Sequence, residues 1–411
     1  MTNKINLYIF AESGHAAAYG IGTYVRELTE SLKDSDLNIC VIHLYSQKPE
    51  VIREELDGVR HWYIPSVVPY RTELYYRNVV YLLQLLIKDT DRLVFHLNFS
   101  RNWPLVDELR AAFSCKIVFV VHLFEWCFAL LGNLTQFRNI IANHAKSPSE
   151  FDFDIEDNFL DEKKFYGKFD KIICMSEYTK SLIQTDYGIN PNQLHLILNG
   201  LKESKKTNNS KALLRKRFRI LDNTPVILFV GKLDKVKGLD YVLSAFRIVL
   251  DTLPACRLLL VGSGAYDTYL KECKDIWMNI AFTGRLDKDV LVDLYSIADI
   301  GVMPSFHEQC SYAAIEMMMY GLPILGSTTT GLKEMIVDGE TGLHIQVIEY
   351  DDHVEIDTTL LAEKMLYLLQ NAGVRKLMST NARKRYEQLY TSEIMRENML
   401  HFYRSLFDNE Q

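Results

Sequence analysis

Two glutamates eight positions apart, Glu308 and Glu316, are the residues of this sequence best placed to do chemistry. Ser311 lies between them and can cap a helix, and the alanine- and methionine-rich run that follows favours helix. Gly321 suits the left-handed position after a helix end, and Pro323 prevents the helix from continuing. We therefore expect Glu308 in the loop before a helix and Glu316 about one turn inside that helix.

A helix start flanked by two carboxylates suits a nucleotide sugar. The unpaired N–H groups and the dipole at a helix N-terminus attract a diphosphate. Glu316 can accept hydrogen bonds from two adjacent hydroxyls, as on a ribose. Glu308, with the backbone amides of Gln309, Cys310 and Ser311, can hold a second polyol such as a sugar. Two glutamates at this spacing also arise by chance, so the pair alone does not decide the function.

Length and composition are those of a globular protein of about two to three domains. The 411 residues carry a net charge of −7, which makes nucleic acid an unexpected partner. The seven cysteines are scattered without a C-x-x-C pair, which argues against disulfides or zinc and favours a reducing cytoplasm. The longest apolar run is interrupted by His122 and Glu125 and is shorter than the roughly 20 residues of a membrane span. We therefore expect neither a signal peptide nor an integral membrane segment.

Short apolar runs alternate with helical patterns through both halves of the chain. The runs lie at 5–10, 38–44, 93–97, 116–122, 171–175, 226–230, 258–261, 280–284, 298–303 and 322–325. This alternation predicts parallel α/β sheets. A polar stretch without apolar periodicity follows Asn199-Gly200 and marks a linker. We predict one domain at 1–200, a second at 201–390 and an amphipathic helix within 391–411.

The first half contains two groups of candidate ligand-binding residues. Gly14, Gly20 and Gly22 follow the first predicted strand, a layout that binds phosphate in doubly wound folds but also serves a plain turn. We expect His15, in the same loop, to be solvated. His122 ends the apolar run IVFVVH, and polar residues at the carboxyl ends of parallel strands line the ligand crevice. A buried, hydrogen-bonded structural histidine is the alternative.

Two further segments are predicted to have faces that lie at the protein surface. The tyrosine-rich pattern at 70–88 predicts a helix that packs with a solvated face or lies against a membrane surface. The acidic stretch at 146–164 predicts a mobile loop or a short helix. Its Asp152-x-Asp154 pair would suit a metal-bound diphosphate, but the pair does not follow a buried strand, and a solvated charge run is favoured. No metal site is therefore expected.

Two lysines follow a predicted strand of the second half, Lys232 and Lys237. Fixed cations beside a departing diphosphate stabilise its growing negative charge without reorganisation. Surface lysines after strands are also common, so the pair is weak evidence by itself. Gly231 precedes the lysines, and Gly262 and Gly264, after the next strand, allow a close approach of the backbone.

The stretch 304–342 resembles the donor site of the retaining glycosyltransferases of family 4, which have the GT-B fold. Their pattern is a Ser, two Glu residues separated by seven positions, a small-residue helix, Gly-x-Pro and a glycine-rich tail. It maps here to Ser305, Glu308, Glu316, Gly321, Pro323, Gly331, Glu334, Asp338, Gly339 and Gly342. Where the family usually has Gly-Phe-Gly, this chain has Gln309, Cys310, Ser311 and Tyr312, a form similar to bacterial members. The resemblance is strong from about 226 to 344 and faint before 200.

The resemblance implies an α/β protein of the GT-B fold. Two Rossmann-like doubly wound domains would face each other across a cleft, and the C-terminal helix would cross back to the first domain. Glu308 would orient the donor sugar and Glu316 the ribose. Lys232, Lys237 and the helix N-terminus would neutralise the diphosphate, and His122 would contact the sugar. The further donor-site residues that it implies are Gly20, Gly22, Gly231, Gly262, Gly264, Gln309, Cys310, Ser311 and Tyr312, with Arg285 and Leu286 at the base.

The activity implied is that of a retaining, hexosyltransferase-type glycosyltransferase that needs no metal and no cofactor. Its donor would be a UDP- or GDP-sugar, and its acceptor a glycan, a lipid-linked glycan or a peptide. A sugar-nucleotide epimerase of the same fold and a non-catalytic binding protein stay open as alternatives. The expected location is the cytoplasm, with peripheral contact at the inner face of the membrane left open. The sequence does not indicate the oligomeric state.

Overall fold

The structure is a computed structural model that describes residues 4–13, 20–66, 73–99, 103–143, 149–204 and 209–408. Its strands are β1 (Asn6–Glu12), β2 (Asn38–Ser46), β3 (Ile52–Leu56), β4 (Val59–Pro65), β5 (Leu93–Leu97), β6 (Lys116–Val121), β7 (Lys171–Cys174), β8 (Leu194–Leu196), β9 (Val226–Val230), β10 (Arg257–Val261), β11 (Ile280–Gly284), β12 (Ile300–Met303), β13 (Ile324–Ser327), β14 (Gly342–Ile345), β15 (Val347–Glu349) and β16 (Val354–Ile356). Its helices are α1 (Gly20–Leu32), α2 (Glu73–Leu86), α3 (Trp103–Ala112), α4 (Glu125–Ala129), α5 (Leu134–Asn143), α6 (Glu150–Tyr166), α7 (Glu177–Thr185), α8 (Lys211–Arg217), α9 (Leu239–Thr252), α10 (Tyr266–Glu272), α11 (Lys288–Ile297), α12 (Tyr312–Met319), α13 (Thr330–Met335), α14 (Thr358–Gln370), α15 (Ala372–Leu389) and α16 (Ser392–Ser405). Short 3₁₀ turns lie at Pro191–Gln193, Lys235–Lys237 and Trp277–Asn279.

The chain divides into two compact units. Unit 1 comprises Met1–Phe124, Glu156–Lys202 and Thr391–Gln411, and unit 2 comprises Glu125–Ile155 and Glu203–Tyr390. The chain therefore passes between the units four times, at 124/125, 155/156, 202/203 and 390/391. The last two crossings lie at or beside the boundaries that the sequence predicts, 200/201 and 390/391.

Unit 1 is built on a sheet with the strand order β3-β4-β2-β1-β5-β6-β7-β8, parallel except for the antiparallel hairpin β3–β4. Every residue of β1 is buried, as expected of a central strand that is covered on both faces. The strand order reverses between β1 and β5, so the ligand crevice of such a sheet lies beside their carboxyl ends. Helix α16 packs on α1, and the Tyr403 hydroxyl lies 2.8 Å from Nδ1 of the buried His96. The predicted return of the last helix to the first domain is confirmed.

Unit 2 is built on a parallel sheet with the order β11-β10-β9-β12-β13-β14. Counted from β9, this is the order 3-2-1-4-5-6 of doubly wound nucleotide-binding folds. Its switch point lies between β9 and β12, which pair directly. Helices α9 and α14 pack against each other, and their buried aliphatic side chains form part of one core with those of β9, β10 and β12. A separate ribbon, β15–β16, is antiparallel.

The segment 125–155 departs from the predicted domain division, because it groups with unit 2 and not with the rest of the first half. Helix α5 packs against β15, and the Asn133 side-chain amide donates to the Tyr350 carbonyl at 2.8 Å. Gly132 has φ +72° and lies so close to the Phe306 carbonyl oxygen that a Cβ would stand 2.4 Å from it. These contacts fix the segment to the second unit, and nothing in its local pattern signals them.

The acidic segment forms a longer helix than the sequence predicts. The expectation of a mobile loop or a short helix is wrong, because α6 runs for 17 residues. Ile155, Phe159, Glu162 and Tyr166 are buried along one face of the helix. Glu162 accepts a hydrogen bond from the Tyr187 hydroxyl at 2.7 Å, which pairs the buried carboxylate. Burial of this face stabilises the helix despite its charge.

Helix α2 is amphipathic, as the tyrosine-rich pattern predicts. It buries Tyr76 and Val79 and exposes Leu74, Tyr81 and Leu85. Among the residues that the structure describes, no helix combines the length and the hydropathy needed to cross a membrane.

Candidate functional site

The loops after β9 and β12 lie side by side at the switch point of unit 2. The Phe306 N–H donates to the Val236 carbonyl at 2.8 Å. Gly238, between the 3₁₀ turn and α9, has φ +67°, and a Cβ there would stand 2.1 Å from the Pro304 carbonyl oxygen. The two loops therefore pack backbone against backbone, which requires glycine at 238.

Lys237 and Glu308 form an ion pair between these loops. Lys237 Nζ lies 2.6 Å from Glu308 Oε1, and the two side chains are only 24% and 13% exposed. The Ser305 hydroxyl donates to the same carboxylate oxygen at 3.1 Å. The Asp234 side chain accepts from the Lys237 N–H at 3.1 Å and so caps the turn that carries the lysine. The cation and the carboxylate that the sequence assigns to phosphate and sugar are thus in direct contact.

The backbone of Glu308 is held by a residue that the sequence does not predict, Thr330. The Glu308 N–H donates to the Thr330 hydroxyl at 2.9 Å, and that hydroxyl donates to the Glu308 carbonyl. Gly331 N–H donates to the same carbonyl at 2.8 Å. Thr330 has φ +40°, a strained conformation for a β-branched residue that occurs mainly at functional sites. Its position directly before Gly331 of the glycine-rich tail is the only sequence signal for it.

Helix α12 carries Glu316 as predicted, one turn after its cap. Ser311 is the N-cap, and its hydroxyl accepts from the Ala314 N–H. The hydroxyl of Tyr295 donates to Glu316 Oε2 at 2.7 Å, and the Tyr320 ring stacks on Tyr295 with centroids 5.2 Å apart. Burial first, and then the charge of Glu316, raise the pKa of Tyr295 well above its usual value, so the phenol remains a donor. Sequence reasoning missed Tyr295 because it lies on another helix.

The predicted glycines Gly231, Gly262 and Gly264 bring two loops together. Gly262 has φ +146°, and a Cβ there would stand 1.7 Å from the Gly231 carbonyl oxygen. Gly264 has φ +156°, and its Cβ would stand 2.3 Å from the Leu233 carbonyl oxygen. The Leu233 N–H donates to the Ser263 carbonyl at 2.9 Å. The space beside these glycines is therefore already filled by the backbone of the neighbouring loop.

Lys232, Arg285 and Leu286 lie along the same edge of the sheet. Lys232 Nζ is 3.3 Å from the carboxylate of Asp234, which also caps the Lys237 turn. Arg285 is exposed and donates from Nε to the Ser263 hydroxyl at 3.1 Å. Leu286 is half-buried. Asp234 therefore links the two predicted phosphate lysines.

The four residues that replace the usual Gly-Phe-Gly are mostly inaccessible. Gln309, Cys310 and Ser311 are buried, and Tyr312 is half-buried. His307, just before Glu308, is also buried, and neither of its ring nitrogens has a hydrogen-bond partner within the described part of the chain. Burial, with a smaller effect of the Lys237 charge, lowers the pKa of His307 to about 3, so the ring is neutral.

His122 lies in unit 1, directly after β6. Its Nε2 lies 3.0 Å from Asn98 Oδ1, and Asn98 Nδ2 donates to the Phe10 carbonyl at 3.0 Å. The Tyr24 ring meets the imidazole edge-on, with centroids 4.8 Å apart. Burial, and next the neighbouring His96, lower the pKa of His122 to about 3. The ring is therefore neutral. These contacts are compatible with both interpretations of the sequence, a residue that contacts a ligand and a hydrogen-bonded structural histidine.

Gly20 and Gly22 belong to the first turn of α1 and not to the loop before it. Neither has a positive φ, so a turn that demands glycine is not the reason for them. Gly14 and His15, predicted for the same loop, lie outside the described residues.

A cavity of about 220 Å³ adjoins this turn. Gly22, Val25, Glu12, His43 and His61 are among its lining residues. His43 Nε2 lies 3.0 Å from His61 Nδ1, and burial lowers the pKa of both rings, that of His43 to about 4. The walls of the cavity thus combine aliphatic side chains with Glu12, Arg26 and a neutral imidazole pair.

The structure groups most predicted site residues along the carboxyl edge of one sheet. Lys232, Lys237, Glu308, Arg285 and the three glycines follow β9 to β12 in unit 2, linked by the contacts above. Glu316 belongs to the same unit, but its described contact is to Tyr295. His122, Gly20 and Gly22 belong to unit 1. The roles assigned to these residues stay predictions.

Comparisons with known proteins find two family models that match this chain. A model of the family "Glycosyl transferases group 1" matches residues 210–385, and a model of "Glycosyltransferase Family 4" matches residues 18–205. A GDP-mannose-dependent monoacylated alpha-(1-6)-phosphatidylinositol monomannoside mannosyltransferase of Corynebacterium glutamicum is 27% identical over 253 residues, which is 59% of this chain and 64% of that protein. Matches to such curated relatives span about three fifths of their length, 64%, 60% and 63% in three cases.

Solved structures extend the similarity to the whole chain. Sucrose-phosphate synthase from Thermosynechococcus elongatus matches with a TM-score of 0.78 and 20% identity, over 99% of this chain and 100% of that one. HepE from Anabaena, in complex with UDP and glucose, matches with a TM-score of 0.73 and 14% identity, over 98% of this chain and 100% of that one. Together with the two strand orders, these similarities confirm the predicted GT-B fold.

Proposed function

Because this chain belongs to the group 1 glycosyltransferases, of the family 4 type, we propose that it is a retaining, hexosyltransferase-type enzyme that uses a nucleoside-diphosphate sugar. The name of the corynebacterial relative specifies GDP-mannose, and the Anabaena structure contains UDP and glucose. The observation that carries the proposal is the Lys237–Glu308 pair at the switch point of unit 2, where doubly wound sheets bind nucleotides.

The leaving diphosphate is neutralised by Lys237, Lys232 and the N-terminus of α12. As the glycosidic bond breaks, negative charge grows on the diphosphate, and cations that are already fixed stabilise it without reorganisation. These groups supply the positive charge that a divalent metal would otherwise bring, so we propose a metal-independent reaction that needs no cofactor. Glu308 accepts from hydroxyls of the donor sugar, and Glu316 accepts from the ribose.

The acceptor is proposed to bind to unit 1. The cavity beside α1 offers aliphatic walls together with Glu12 and the His43–His61 pair, which suits a molecule that has both apolar and hydroxylated parts. The exposed Leu74 and Tyr81 of α2 suit a lipid-linked acceptor presented at the cytoplasmic face of a membrane. Glycan and peptide acceptors remain within the same proposal.

A donor screen tests the proposal. Nucleoside diphosphates and their sugars are first compared for the rise in melting temperature that they cause, because ligands that bind the folded state stabilise it. Glu316→Ala should abolish this rise, whereas Glu363→Ala, an exposed glutamate of α14, should leave it unchanged. Transfer is then measured with and without chelator, and NMR assigns the anomeric configuration of donor and product.

Each outcome of the screen has a distinct meaning. Product of the same anomeric configuration, formed in chelator, supports the proposal. Activity lost in chelator and restored by manganese contradicts metal independence. An isomerised sugar formed without acceptor indicates an epimerase, and donor binding without hydrolysis or transfer indicates a binding protein.

A further inference from the structure

Asn98 connects the carboxyl ends of three neighbouring strands in unit 1. It is buried and directly follows β5, which lies between β1 and β6 in the sheet. Its Nδ2 donates to the carbonyl of Phe10 in β1 at 3.0 Å. Its Oδ1 lies 3.0 Å from Nε2 of His122, the residue after β6. One amide thus spans the switch point of this unit.

These two contacts determine which nitrogen of His122 carries hydrogen. A backbone carbonyl only accepts, so the NH₂ group of Asn98 must face Phe10 and its oxygen must face His122. That oxygen also only accepts, so Nε2 of His122 must be the donor. In a neutral imidazole the other nitrogen, Nδ1, then has no proton and is an acceptor.

Within the part of the chain that the structure describes, Nδ1 of His122 makes no hydrogen bond. Its ring is half-buried, and within the described residues the only hydrogen bond of the imidazole is the one to Asn98. The Tyr24 ring on α1 contacts the imidazole edge-on, and burial lowers the pKa of the neighbouring His96 on β5 to about 3, so that ring is neutral. Burial also lowers the pKa of His122 itself to about 3, so Nδ1 stays unprotonated at neutral pH.

We propose that Asn98 is a positioning residue that holds His122 in the Nε2–H tautomer, so that Nδ1 accepts a hydrogen bond from a hydroxyl of the bound sugar. This inference rests on the proposed function, because it needs a saccharide at the switch point of unit 1. It adds to that function the atom of His122 that contacts the sugar, the direction of the hydrogen bond and the residue that fixes both.

Two substitutions of His122 give opposite rankings under the two interpretations. The amide of asparagine superposes on the Nδ1 side of the ring, and the amide of glutamine superposes on the Nε2 side. His122→Asn therefore keeps an acceptor toward the sugar, whereas His122→Gln keeps only the bond to Asn98. We expect His122→Gln to have roughly tenfold lower kcat/KM than His122→Asn, the effect of about one hydrogen bond. A purely structural histidine predicts the reverse ranking, because glutamine preserves the bond to Asn98, and that result would overturn the inference.

The role of Asn98 is tested with a matched control. Asn98→Ala should lower kcat/KM roughly tenfold, through KM for the saccharide. Asn38→Ala removes another side-chain amide bond of the same sheet, 2.9 Å long, to Asn6 at the amino ends of β1 and β2. It should leave kcat/KM unchanged. Equal kinetics of the two variants, measured well below their melting temperatures, would contradict a positioning role for Asn98.

Nitrogen-15 NMR reads the tautomer without any turnover. Protonated and bare imidazole nitrogens have well separated ¹⁵N shifts, and the His122 signals are those lost in His122→Asn. We expect a protonated Nε2 and a bare Nδ1 at neutral pH. A protonated Nδ1 overturns the inference while leaving the proposed function intact. Failure of the wild-type protein to act on any donor overturns the proposed function and, with it, the role of Nδ1, even where the tautomer is as expected.

Discussion

Glu308→Gln should tighten the binding of a free nucleoside diphosphate while it slows sugar transfer. Glutamine keeps the shape of the side chain and an acceptor oxygen but removes the charge that pairs with Lys237. A diphosphate that needs Lys237 must compete with Glu308 for it, so loss of the carboxylate frees the cation. Transfer should slow because the donor sugar loses its charged acceptor.

The magnitude follows from the burial of the pair. Exposed ion pairs contribute about 0–1 kcal/mol, and breaking a fully buried one costs about 3–5 kcal/mol. With a contact of 2.6 Å and side chains 24% and 13% exposed, the Lys237–Glu308 pair lies between these limits. Glutamine keeps a neutral acceptor for the ammonium, so the loss lies toward the lower limit. We take about 1–2 kcal/mol, which corresponds to roughly 5- to 30-fold in the Kd of the diphosphate. The melting temperature should fall by about 2–8 °C in a domain of this size, because the folded state loses the pair.

Isothermal titration of wild type, Glu308→Gln and Glu316→Gln with UDP and GDP is the assay. Glu316→Gln is the control of opposite sign, because it removes the charge of the proposed ribose acceptor and leaves Lys237 paired. Its diphosphate affinity should fall while that of Glu308→Gln rises. Weaker or unchanged binding by Glu308→Gln, beside a normal response of Glu316→Gln, would refute the competition for Lys237 and the phosphate role of that lysine.

Three further expectations follow from single contacts. Gly262→Ala places a Cβ 1.7 Å from a neighbouring carbonyl oxygen and should prevent folding of unit 2. In Gly284→Ala the new Cβ has nothing within 4 Å, so urea unfolding should show a loss of only about 1–2 kcal/mol, the cost of the left-handed backbone. The pKa of His307 is about 3 in the folded state and about 6.5 in the unfolded state, so the unfolded chain binds the proton first as pH falls. The contribution of this residue to the free energy of unfolding should therefore be fully present above pH 6.5 and be lost progressively toward pH 3. His307→Phe, which removes a buried ring without partners, should flatten that decline in acid unfolding curves without lowering stability at pH 7. Tyr295→Phe should weaken diphosphate binding by roughly 2- to 10-fold, less than Glu316→Gln, because it removes one neutral donor to that carboxylate.

The central strands were predictable because buried parallel strands read as continuous apolar runs. The spans 226–230 and 280–284 coincide with β9 and β11. The hairpin β3–β4 was not predicted, because β3, IREEL, is an edge strand with an exposed, charged sequence. The turn between the two strands did carry a local sequence signal, the dipeptide Asp57-Gly58. In the structure these two residues have φ +50° and +78°, the two positive values typical of a type I′ turn.

The acidic helix α6 shows how charge can conceal a helical pattern. Its buried residues Ile155, Phe159, Glu162 and Tyr166 recur at the spacing of one helix face. One of the four is a glutamate, and the surrounding carboxylates lower the mean hydropathy, so the apolar stripe is narrow. The helix can be recognised only when the residues that cover this face are known, and Tyr187 is one of them.

In the candidate site, spacing identified the charged residues but not their partners. Glu308, Glu316 and Lys237 follow from local motifs. The groups that hold them do not, because Thr330 lies 22 positions from Glu308 and Tyr295 lies 21 from Glu316. Such pairs arise from the order of strands in the sheet, which a local pattern does not contain.

The two switch points differ in charge, and the difference suits two kinds of recognition. In unit 2 the carboxyl edge carries Lys237 and Glu308, fixed 2.6 Å apart before any charge develops on a substrate. In unit 1 the corresponding edge carries Asn98 and His122, and burial keeps the imidazole neutral. A leaving diphosphate gains charge during the reaction and needs fixed cations. A hydroxyl stays neutral and needs an acceptor of defined direction, which a buried imidazole with one nitrogen already committed provides. Exchanging the two sets would therefore impair both proposed functions. A carboxylate at the place of His122 would be buried without the paired cation that Glu308 has, at a desolvation cost that a neutral hydroxyl does not repay.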